Sequence, residues 1–456
     1  MNTAIHQEDT IAALATPPGV SGLAVIRVSG ADAIDCVAAV FRGGDLRQAS
    51  SHTMHHGHVL NPQGHTIDEV LAAVFRAPRS YTGENSVEIS CHGGATAYRA
   101  VLDRLYAAGV RHAEPGEFTR RAFLNGKMDL SQAEAVADLI HAQSEDAHQA
   151  SVRQLEGRLS SFVEGIRSSL LHCLGMLELS LDFVEEDVEF LTAERLRSDI
   201  AQAEAKLRDA LATFRSGRII REGVKVVLLG KPNVGKSSLL NAVLGTQRAI
   251  VTDVPGTTRD YIEEQMMLHG RPFRFVDTAG LRETHDRVEQ LGISASTEQL
   301  RDADIVCGII DDPAESEGLE VLRSLAADIG ARCIGVLNKC DLHTHPLVTD
   351  TDLVSISALH GTGLDVLLQR LADVAANIGM LPASYEVVVT NVRHAACIER
   401  GITALGRAAS AAEAGRTEEC IAVELREAAD ALGEIIGVVT TDDILNGIFS
   451  RFCIGK

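Results

Sequence analysis

The sequence predicts a multidomain protein with an α+β N-terminal domain, a discontinuous α-helical domain, and an α/β domain inserted between the two helical parts. Short β-rich runs come first, a helical apolar period follows, and a strand–turn–helix pattern begins at Val224 before helical periodicity resumes at Val392. A chain of 456 residues fits about three domains of roughly 100–200 residues each. We expect boundaries at residues 1–120, 121–217, 218–378 and 379–456.

The first domain is expected to be compact and α+β, because its apolar residues come in short runs that end in Gly or Pro. Three of these runs are β-rich: LAVIRVSG (Leu23 to Gly30), VLAAVFRAP (Val70 to Pro78) and SVEISCHGG (Ser86 to Gly94). One helical stretch lies near Tyr98 to Ala108.

Apolar residues at helical spacing mark the second domain from Ser131 to about Phe214. One face of a long helix is predicted by Leu155, Leu159, Phe162, Ile166, Leu170, Leu174, Leu177 and Leu181. The acidic run DFVEEDVEF predicts a break, and Leu196 to Phe214 predicts a further helix. Helical periodicity returns from Val392 to Phe452, so we expect the helical segments on the two sides of the inserted domain to pack together.

Composition excludes several classes of protein. Apolar residues make up 45% of the chain, which is too much for a disordered protein. The net charge of −21 repels nucleic acid, so an RNA substrate needs a local basic patch or a partner protein. Nine cysteines without CxxC spacing argue against a disulfide framework or a thiolate zinc site. No apolar run approaches the roughly 18 residues of a membrane span, and MNTAIHQEDT lacks signal-peptide features, so we expect a cytoplasmic protein without membrane contact.

A phosphate-binding loop is the first chemical motif. GKPNVGKS, Gly230 to Ser237, matches GxxxxGK[ST] and lies between a predicted strand and a predicted helix. The glycines let backbone N–H groups surround phosphate oxygens, and the helix N-terminus adds positive potential. Lys236 is expected to neutralise charge on the β- and γ-phosphates, and Ser237 is expected to bind Mg²⁺.

Three later motifs indicate that the bound base is guanine. DTAG, Asp277 to Gly280, closes an apolar strand as a Walker-B-like element does. NKCD, Asn338 to Asp341, follows the strand CIGVL; its aspartate can accept hydrogen bonds from the guanine ring N–H and amine, and adenine offers no such pair. SAL, Ser357 to Leu359, can donate a backbone N–H to the guanine oxygen. The inserted domain is therefore predicted to be an α/β Ras-like P-loop G domain that binds GTP and GDP.

A candidate switch loop, TDVPGTTRD, would bring Thr257 and Thr258 near the γ-phosphate and Mg²⁺. Ras-like enzymes orient water with a Gln after the DTAG element, but this chain has Leu281, which cannot do so. Asn233 lies inside the P-loop, where its amide oxygen can coordinate a monovalent cation or the residue can simply form the turn. The predicted nucleotide-binding residues are Asn233, Val234, Gly235, Lys236, Ser237, Ser238, Thr252, Asp253, Val254, Pro255, Gly256, Thr257, Thr258, Asp277, Thr278, Ala279, Gly280, Asn338, Lys339, Cys340, Asp341, Ser357, Ala358 and Leu359.

These motifs together resemble those of the MnmE (TrmE) family of tRNA-modification GTPases. The resemblance rests on GKPNVGKSSLLN, TDVPGTTRD, DTAGLR, NKCD and the terminal FCIGK. It extends to ATPPG, YTGE, HGG, PGEFTRRAFLNGKMDLSQAEAVADLI and TTDDILNGIFSRFCIGK, so it covers essentially the whole chain.

The resemblance implies a homodimer that is formed by a folate-binding N-terminal domain, with G domains that meet when K⁺ and GTP bind. It implies Mg²⁺, K⁺ and a tetrahydrofolate derivative (5-formyl- or methylene-tetrahydrofolate) as cofactors. It also implies a flavoprotein partner of the MnmG type in a heterotetramer, with FAD supplied only by that partner. The implied reaction adds a carboxymethylaminomethyl group to the wobble uridine of certain tRNAs.

The resemblance further implies roles for individual residues. Folate contacts are implied for Arg27, Glu88, Lys127 and Lys456. Metal ligands are implied at Asn233, Thr252, Val254 and Thr257 for K⁺, and at Ser237 and Thr258 for Mg²⁺. Glu289 matches the glutamate that positions water, and Cys453 of CIGK lies near the folate site, where it takes part in the modification.

Other interpretations of these residues stay open from the sequence. The four folate residues can be ordinary surface charges, Glu289 an ordinary helix glutamate, and Cys453 a structural thiol. The cluster SHTMHHGHV, with His52, His55, His56 and His58, has metal-like spacing but is better explained as a solvated loop and strand start. A GTP-switched RNA or ribosome assembly factor is the alternative function, although such factors carry a basic RNA-binding appendage and this chain shows none.

Overall fold

The computed structural model describes residues 9–182, 192–246, 263–277, 300, 302–342, 353–378, 385 and 387–456. The chain divides into two compact units. One comprises Met1–Ala137, Gln154–Glu164 and Leu432–Lys456, and the other comprises Asp138–Arg153 and Gly165–Ala431. The predicted domain boundaries remain predictions.

Among the described residues, strands occur in two stretches of the chain, and helices occur along most of its length. The strands are β1 (Ile11–Leu14), β2 (Ser21–Ser29), β3 (Phe41–Gly43), β4 (Thr53–Leu60), β5 (Thr66–Phe75), β6 (Ser86–Gly93), β7 (Arg111–His112), β8 (Val224–Leu229), β9 (Glu263–Leu268), β10 (Arg271–Asp277), β11 (Ile305–Ile310), β12 (Arg332–Leu337) and β13 (Leu353–Ser355). The helices are α1 (Ala33–Val40), α2 (Ala95–Tyr106), α3 (Glu117–Leu124), α4 (Leu130–His141), α5 (Glu145–Leu155), α6 (Arg158–Asp182), α7 (Ala193–Ala212), α8 (Phe214–Glu222), α9 (Lys236–Thr246), α10 (Ser316–Asp328), α11 (Leu364–Ile378), α12 (Val392–Glu413), α13 (Glu418–Ile436) and α14 (Asp442–Phe449).

A seven-stranded sheet in the order β3-β4-β5-β6-β2-β1-β7 forms the centre of the first unit. Its pairings are antiparallel except for the parallel pair β1–β7. Side chains alternate between the two faces of a strand, so Ala24, Ile26 and Val28 of β2 are buried in the core that also includes residues of α1 and α2. Arg27 therefore lies on the opposite face of the sheet. The predicted α+β domain is confirmed.

The C-terminal helix α14 packs in the same unit as the sheet. Leu445, Phe449 and Phe452 form one apolar cluster with Leu130 and other residues of α4. Close approach explains a glycine at the start of α3: Gly116 has a φ of +70°, and a Cβ there would lie 2.5 Å from the Phe449 carbonyl oxygen.

Helices on both sides of the G domain pack together in the second unit, as the sequence predicted. The Arg197 guanidinium of α7 donates to the Ala412 carbonyl of α12 at 3.4 Å, and Arg426 of α13 forms an ion pair with Glu178 of α6. The expected single helix from Leu155 to Leu181 was wrong in one respect. Leu155 ends α5 and a new helix, α6, begins at Arg158, because Gly157 takes a left-handed φ of +83° that helical residues do not adopt.

The described residues of the G domain include a six-stranded sheet in the order β13-β12-β11-β8-β10-β9. All its strand pairings are parallel except β9–β10. The five parallel strands were predicted, whereas the antiparallel edge strand β9 was not. Two arginines of α8 contact the loops that lead into β12 and β11. Arg215 donates to the Gly330 carbonyl at 2.6 Å, and Arg218 pairs with the buried Asp304 at 2.5 Å.

No helix within the described ranges is both long enough and apolar enough to cross a bilayer.

Candidate functional site

The carboxyl ends of the five parallel strands meet at one edge of the G-domain sheet, and the nucleotide motifs follow these ends. Strand β8 lies between β10 and β11, so the strand order reverses there. In open α/β sheets ligands bind at such a switch point. The P-loop follows β8, Asp277 ends β10 beside Leu228, NKCD follows β12, and SAL follows β13.

The P-loop needs its second glycine for space as well as for conformation. Gly235 has a φ of +96°, and a Cβ at this position would overlap the side-chain nitrogen of Asn338. Asn233 also has a positive φ, of +65°, which asparagine tolerates better than most residues. Lys236 begins α9, and its ammonium group donates to the carbonyls of Gly230 at 2.9 Å and Lys231 at 3.0 Å. Its charge is thereby held inside the loop, where phosphate groups would bind.

Asn338 joins three of the predicted motifs through one buried side chain. Its amide nitrogen donates to the Val234 carbonyl of the P-loop at 2.8 Å. Its amide oxygen accepts the Ala358 backbone N–H of SAL at 3.0 Å. The next residue, Lys339, has a φ of +59° and pairs with Asp311, at the end of β11, at 2.6 Å.

The carboxylate of Asp341 is oriented by Ser357. The buried Ser357 hydroxyl donates to one Asp341 oxygen at 2.5 Å, and the His360 ring nitrogen lies 3.9 Å from the other. Ser357 itself is fixed because its N–H donates to the Thr362 carbonyl at 2.9 Å. The side chain of Leu359 is 82% exposed. The structure thus brings Asp341 and the SAL backbone together, as recognition of guanine requires.

Ser237 and Ser238 lie in the first turn of α9, and Cys340 begins a 3₁₀ turn, Cys340–Leu342. Several predicted residues lie outside the described residues. These are Thr252, Asp253, Val254, Pro255, Gly256, Thr257, Thr258, Thr278, Ala279, Gly280 and Glu289. Their roles stay predictions.

A second group of predicted residues meets on the first unit's sheet. Arg27 of β2 and Glu88 of β6 are directly opposite in the strand register. The Arg27 Nε and Nη2 atoms donate to the same Glu88 oxygen at 3.0 and 2.9 Å. Two aromatic rings are close to this guanidinium, those of Tyr81 at 4.6 Å and Phe118 at 5.7 Å.

Lys456 lies within electrostatic range of this pair. Burial lowers the pKa of its ammonium group and the Arg27 charge lowers it further, while Glu88 and Cys453 act in the opposite direction. The terminal segment is close to β1, since a Cβ on Gly455 would overlap the Leu14 carbonyl oxygen. Cys453 is exposed, and its carbonyl accepts the Lys456 N–H at 3.3 Å.

Lys127 is placed differently from the other three folate candidates. It is exposed, and its ammonium group donates to the Pro78 carbonyl at 3.1 Å. Its side chain also lies near Gly83. Lys127 therefore borders the loop that carries Tyr81 rather than pairing with Glu88. Tyr81 belongs to the YTGE motif but was not among the predicted site residues, although its aromatic ring was a signal within that motif.

The histidine cluster lies on and beside β4. His56 pairs with Glu69 at 2.6 Å. A histidine outside the cluster, His92 of β6, pairs with Asp68 at 2.7 Å. No group of three or more metal-ligating side chains occurs among the residues that the structure describes. His55, His56 and His58 are strand residues.

Comparisons with known proteins cover the whole chain. The family model described as the GTP-binding protein TrmE N-terminus matches residues 10–127, and the model of the MnmE helical domain matches residues 130–453. Many relatives carry the name tRNA modification GTPase MnmE, and three of them illustrate the similarity. That of Salinibacter ruber is 46% identical over 465 residues, which is 99% of this chain and 100% of the relative. That of Moorella thermoacetica is 45% identical over 465 residues, which is 98% of this chain and 100% of the relative.

The relative from Chlorobium chlorochromatii is 44% identical over 473 residues, and the match covers 100% of both chains. Identity at this level over full length extends well beyond a shared nucleotide motif. The chain therefore belongs to the MnmE family of tRNA-modification GTPases.

Proposed function

We propose that this protein hydrolyses GTP in a K⁺-stimulated reaction and couples it to modification of the wobble uridine of certain tRNAs. With an MnmG-type flavoprotein, it uses a one-carbon tetrahydrofolate to add a carboxymethylaminomethyl group at C5 of that uridine. The observation that supports the proposal is that one chain of this family holds two separate groups of predicted site residues: Asn338 with the P-loop in the G domain, and the Arg27–Glu88 ion pair in the first unit.

The G-domain residues divide the work of hydrolysis. Lys236 neutralises phosphate charge, Asp341 selects guanine, and Ser237 with Thr258 holds Mg²⁺. The exposure of Ser237 in the first turn of α9 suits this, because a hydroxyl at a P-loop helix N-terminus is a hard oxygen ligand. Mg²⁺ supplies charge neutralisation when bound. Glu289 orients the attacking water, because Leu281 occupies the position of the glutamine that does this in Ras-like enzymes.

Potassium binds beside the phosphates in this proposal. Asn233 is exposed and its backbone is held in the left-handed region, so its amide side chain projects from the P-loop bend. Thr252, Val254 and Thr257 complete the ligand set. The bound cation adds positive charge where negative charge develops on the phosphates.

A reduced folate, 5-formyl- or methylene-tetrahydrofolate, fits the residues of the first unit. The Nη1 atom of Arg27 is buried and has no hydrogen-bond partner among the described residues. A buried donor of this kind needs an acceptor, and a folate carbonyl or carboxylate supplies one. Glu88 is partly exposed and can accept from the amino edge of a pterin. Lys456 and Lys127 suit the carboxylates of the folate tail, and Cys453 acts at the one-carbon group.

The proposed working form is a cytoplasmic homodimer that joins the flavoprotein in a heterotetramer. FAD belongs to that partner, and tRNA is the shared substrate. The net charge of −21 supports this division, since the acidic chain gains most from a partner that helps to hold tRNA.

Complementation tests the proposal. A bacterial strain that lacks its own gene of this family is given the wild-type chain, Lys236→Ala or Glu88→Ala, and the wobble nucleosides are measured by mass spectrometry. We expect the wild type to restore the modified uridine and both variants to fail. Lys206→Ala, on the exposed face of α7, is the matched lysine control. Full modification with Glu88→Ala would remove the folate assignment, and failure of the wild type would favour the assembly-factor alternative.

A further inference from the structure

The loop that carries Tyr81 is fixed on both sides of this residue. The Ser80 hydroxyl donates to the Glu84 carbonyl at 2.6 Å, and the Asn125 amide donates to the Thr82 carbonyl at 2.8 Å. The fully buried Thr82 hydroxyl lies 2.6 Å from the Ser29 hydroxyl. The backbone at Tyr81 is therefore held by contacts that owe nothing to the tyrosine side chain.

The Tyr81 side chain is fixed as well. Its hydroxyl lies 2.9 Å from the hydroxyl of Thr119, a fully buried residue of α3. Burial raises the pKa of the Tyr81 phenol above its ordinary value, so the ring is neutral and keeps its hydroxyl proton. The ring thus has a defined position, with its centroid 4.6 Å from the Arg27 guanidinium carbon.

The guanidinium of Arg27 has only one polar partner atom in the described structure. Nε and Nη2 both donate to a single Glu88 oxygen, and Nη1 is buried without a partner. Both hydrogen bonds come from one edge of the guanidinium and converge on one oxygen, so they leave the plane able to tilt about the line that joins Cζ to that oxygen. The Tyr81 ring, which is nearer than that of Phe118, restricts this tilt, since a guanidinium stacks favourably on an aromatic face.

We propose that Tyr81 is a positioning residue of the one-carbon donor site. Its ring holds the Arg27 guanidinium in one orientation, so that Nη1 is presented to a carbonyl or carboxylate oxygen of the reduced folate. The inference rests on the proposed function, because the folate is the ligand that it concerns. Tyr81 acts through Arg27 and takes no part in nucleotide binding.

Equilibrium binding of 5-formyl-tetrahydrofolate to the full-length protein, measured by calorimetry, tests this role. Tyr81→Leu removes the ring and should weaken binding about tenfold, in line with a partly desolvated cation–π contact. Tyr81→Phe keeps the ring and should bind within about twofold of the wild type. Tyr106→Leu removes another partly buried tyrosine of the same unit and should leave binding unchanged. Each variant should keep the wild-type thermal unfolding transition, which shows that the first unit folds, and the wild-type GTPase rate, which shows that the substitution affects the folate site alone.

A double-mutant cycle separates positioning from direct contact. In an Arg27→Lys background there is no guanidinium plane to orient, so Tyr81→Leu should have almost no further effect on folate affinity. Equal tenfold losses in the two backgrounds would mean that the ring contacts the ligand itself, and would overturn the inference. Wild-type affinity in Tyr81→Leu would overturn it too. A wild-type protein that binds no folate would instead refute the proposed function, and the inference with it.

Discussion

The Asp341 carboxylate is positioned by the Ser357 hydroxyl, so the base selection that we propose depends on two residues from different loops. Asp341→Asn keeps the size of the side chain but replaces an acceptor with a donor. An amide can donate to the xanthine oxygen, so we expect the nucleotide preference to shift from GTP towards XTP. Competition binding with GTP and XTP measures this, and unchanged GTP selectivity would remove the assigned role.

A second residue-scale prediction concerns Asn233. GTP hydrolysis should be faster in K⁺ than in Na⁺, because the proposed site fits the larger ion. Asn233→Ala should abolish the difference while nucleotide still binds. The measurement is the hydrolysis rate in matched chloride salts. Equal rates in the two salts for the wild type, or an intact K⁺ response in the variant, would contradict the potassium site.

Sequence motifs identified the G-domain residues because their chemistry requires fixed types at fixed spacing. Gly235 and Lys236 could be assigned a role without any structure; the structure has Gly235 in the loop after β8 and Lys236 at the start of α9, and their roles stay predictions. Tyr81 lies in the YTGE motif, but its role beside Arg27 could not be assigned in this way. Its role depends on the sheet that brings β2 beside the loop after β5, and nothing in the local sequence of Arg27 encodes that proximity.

At the scale of elements, Gly116 at the start of α3 allows a test of how closely α3 and α14 pack. Gly116→Ala must place a Cβ 2.5 Å from the Phe449 carbonyl, where α14 packs, and must also adopt a φ of +70°. Gly126→Ala is a matched control, because its φ is +66° but the space around its Cβ is open. We expect the control to lose about 1–2 kcal/mol of unfolding free energy from backbone strain alone. Gly116→Ala should lose about 1–3 kcal/mol more from overpacking.

Chemical denaturation, with the slope of the transition compared between variants, measures both losses. Equal destabilisation of the two variants would show that α14 moves aside without cost. Loss of folate binding only in Gly116→Ala would fit, since Phe452 and Lys456 follow this helix in the chain.

Helices and strands were predicted best where burial alone determined the order of apolar and polar residues. Strand β11 is buried at every position and has a continuous apolar run, as parallel strands do. Strand β4 was only partly anticipated, because its histidines interrupt the alternation of apolar and polar residues. Strand β9 was missed because it lies at the edge of the sheet, where burial constrains the sequence less.

For the whole molecule, the two sites should be separable by mutation. Cys453 lies in the first compact unit and the nucleotide motifs lie in the second. Cys453→Ser should therefore leave the intrinsic GTPase rate within about twofold but abolish tRNA modification.

Glu289→Ala should bind GTP normally and hydrolyse it about 10²–10⁴ times more slowly. Modification should then fall as well, if opening and closing of the G domains drives the chemistry.

GTP turnover and modified-uridine content are measured on each of these two variants. Full modification by Cys453→Ser would reduce that thiol to a packing residue. Wild-type hydrolysis by Glu289→Ala would mean that another group positions the water.

The single side chain of Asn338 restricts how this enzyme can change its nucleotide in evolution. The same amide supports the phosphate loop through Val234 and the base loop through Ala358. A substitution there cannot alter the choice of base alone, because it also releases the loop that holds the phosphates. A lineage that drifts towards another nucleotide must therefore change Asp341 first and keep Asn338, so the two neighbouring positions should tolerate very different numbers of substitutions. Deep mutational scanning under selection for tRNA modification would reveal that asymmetry.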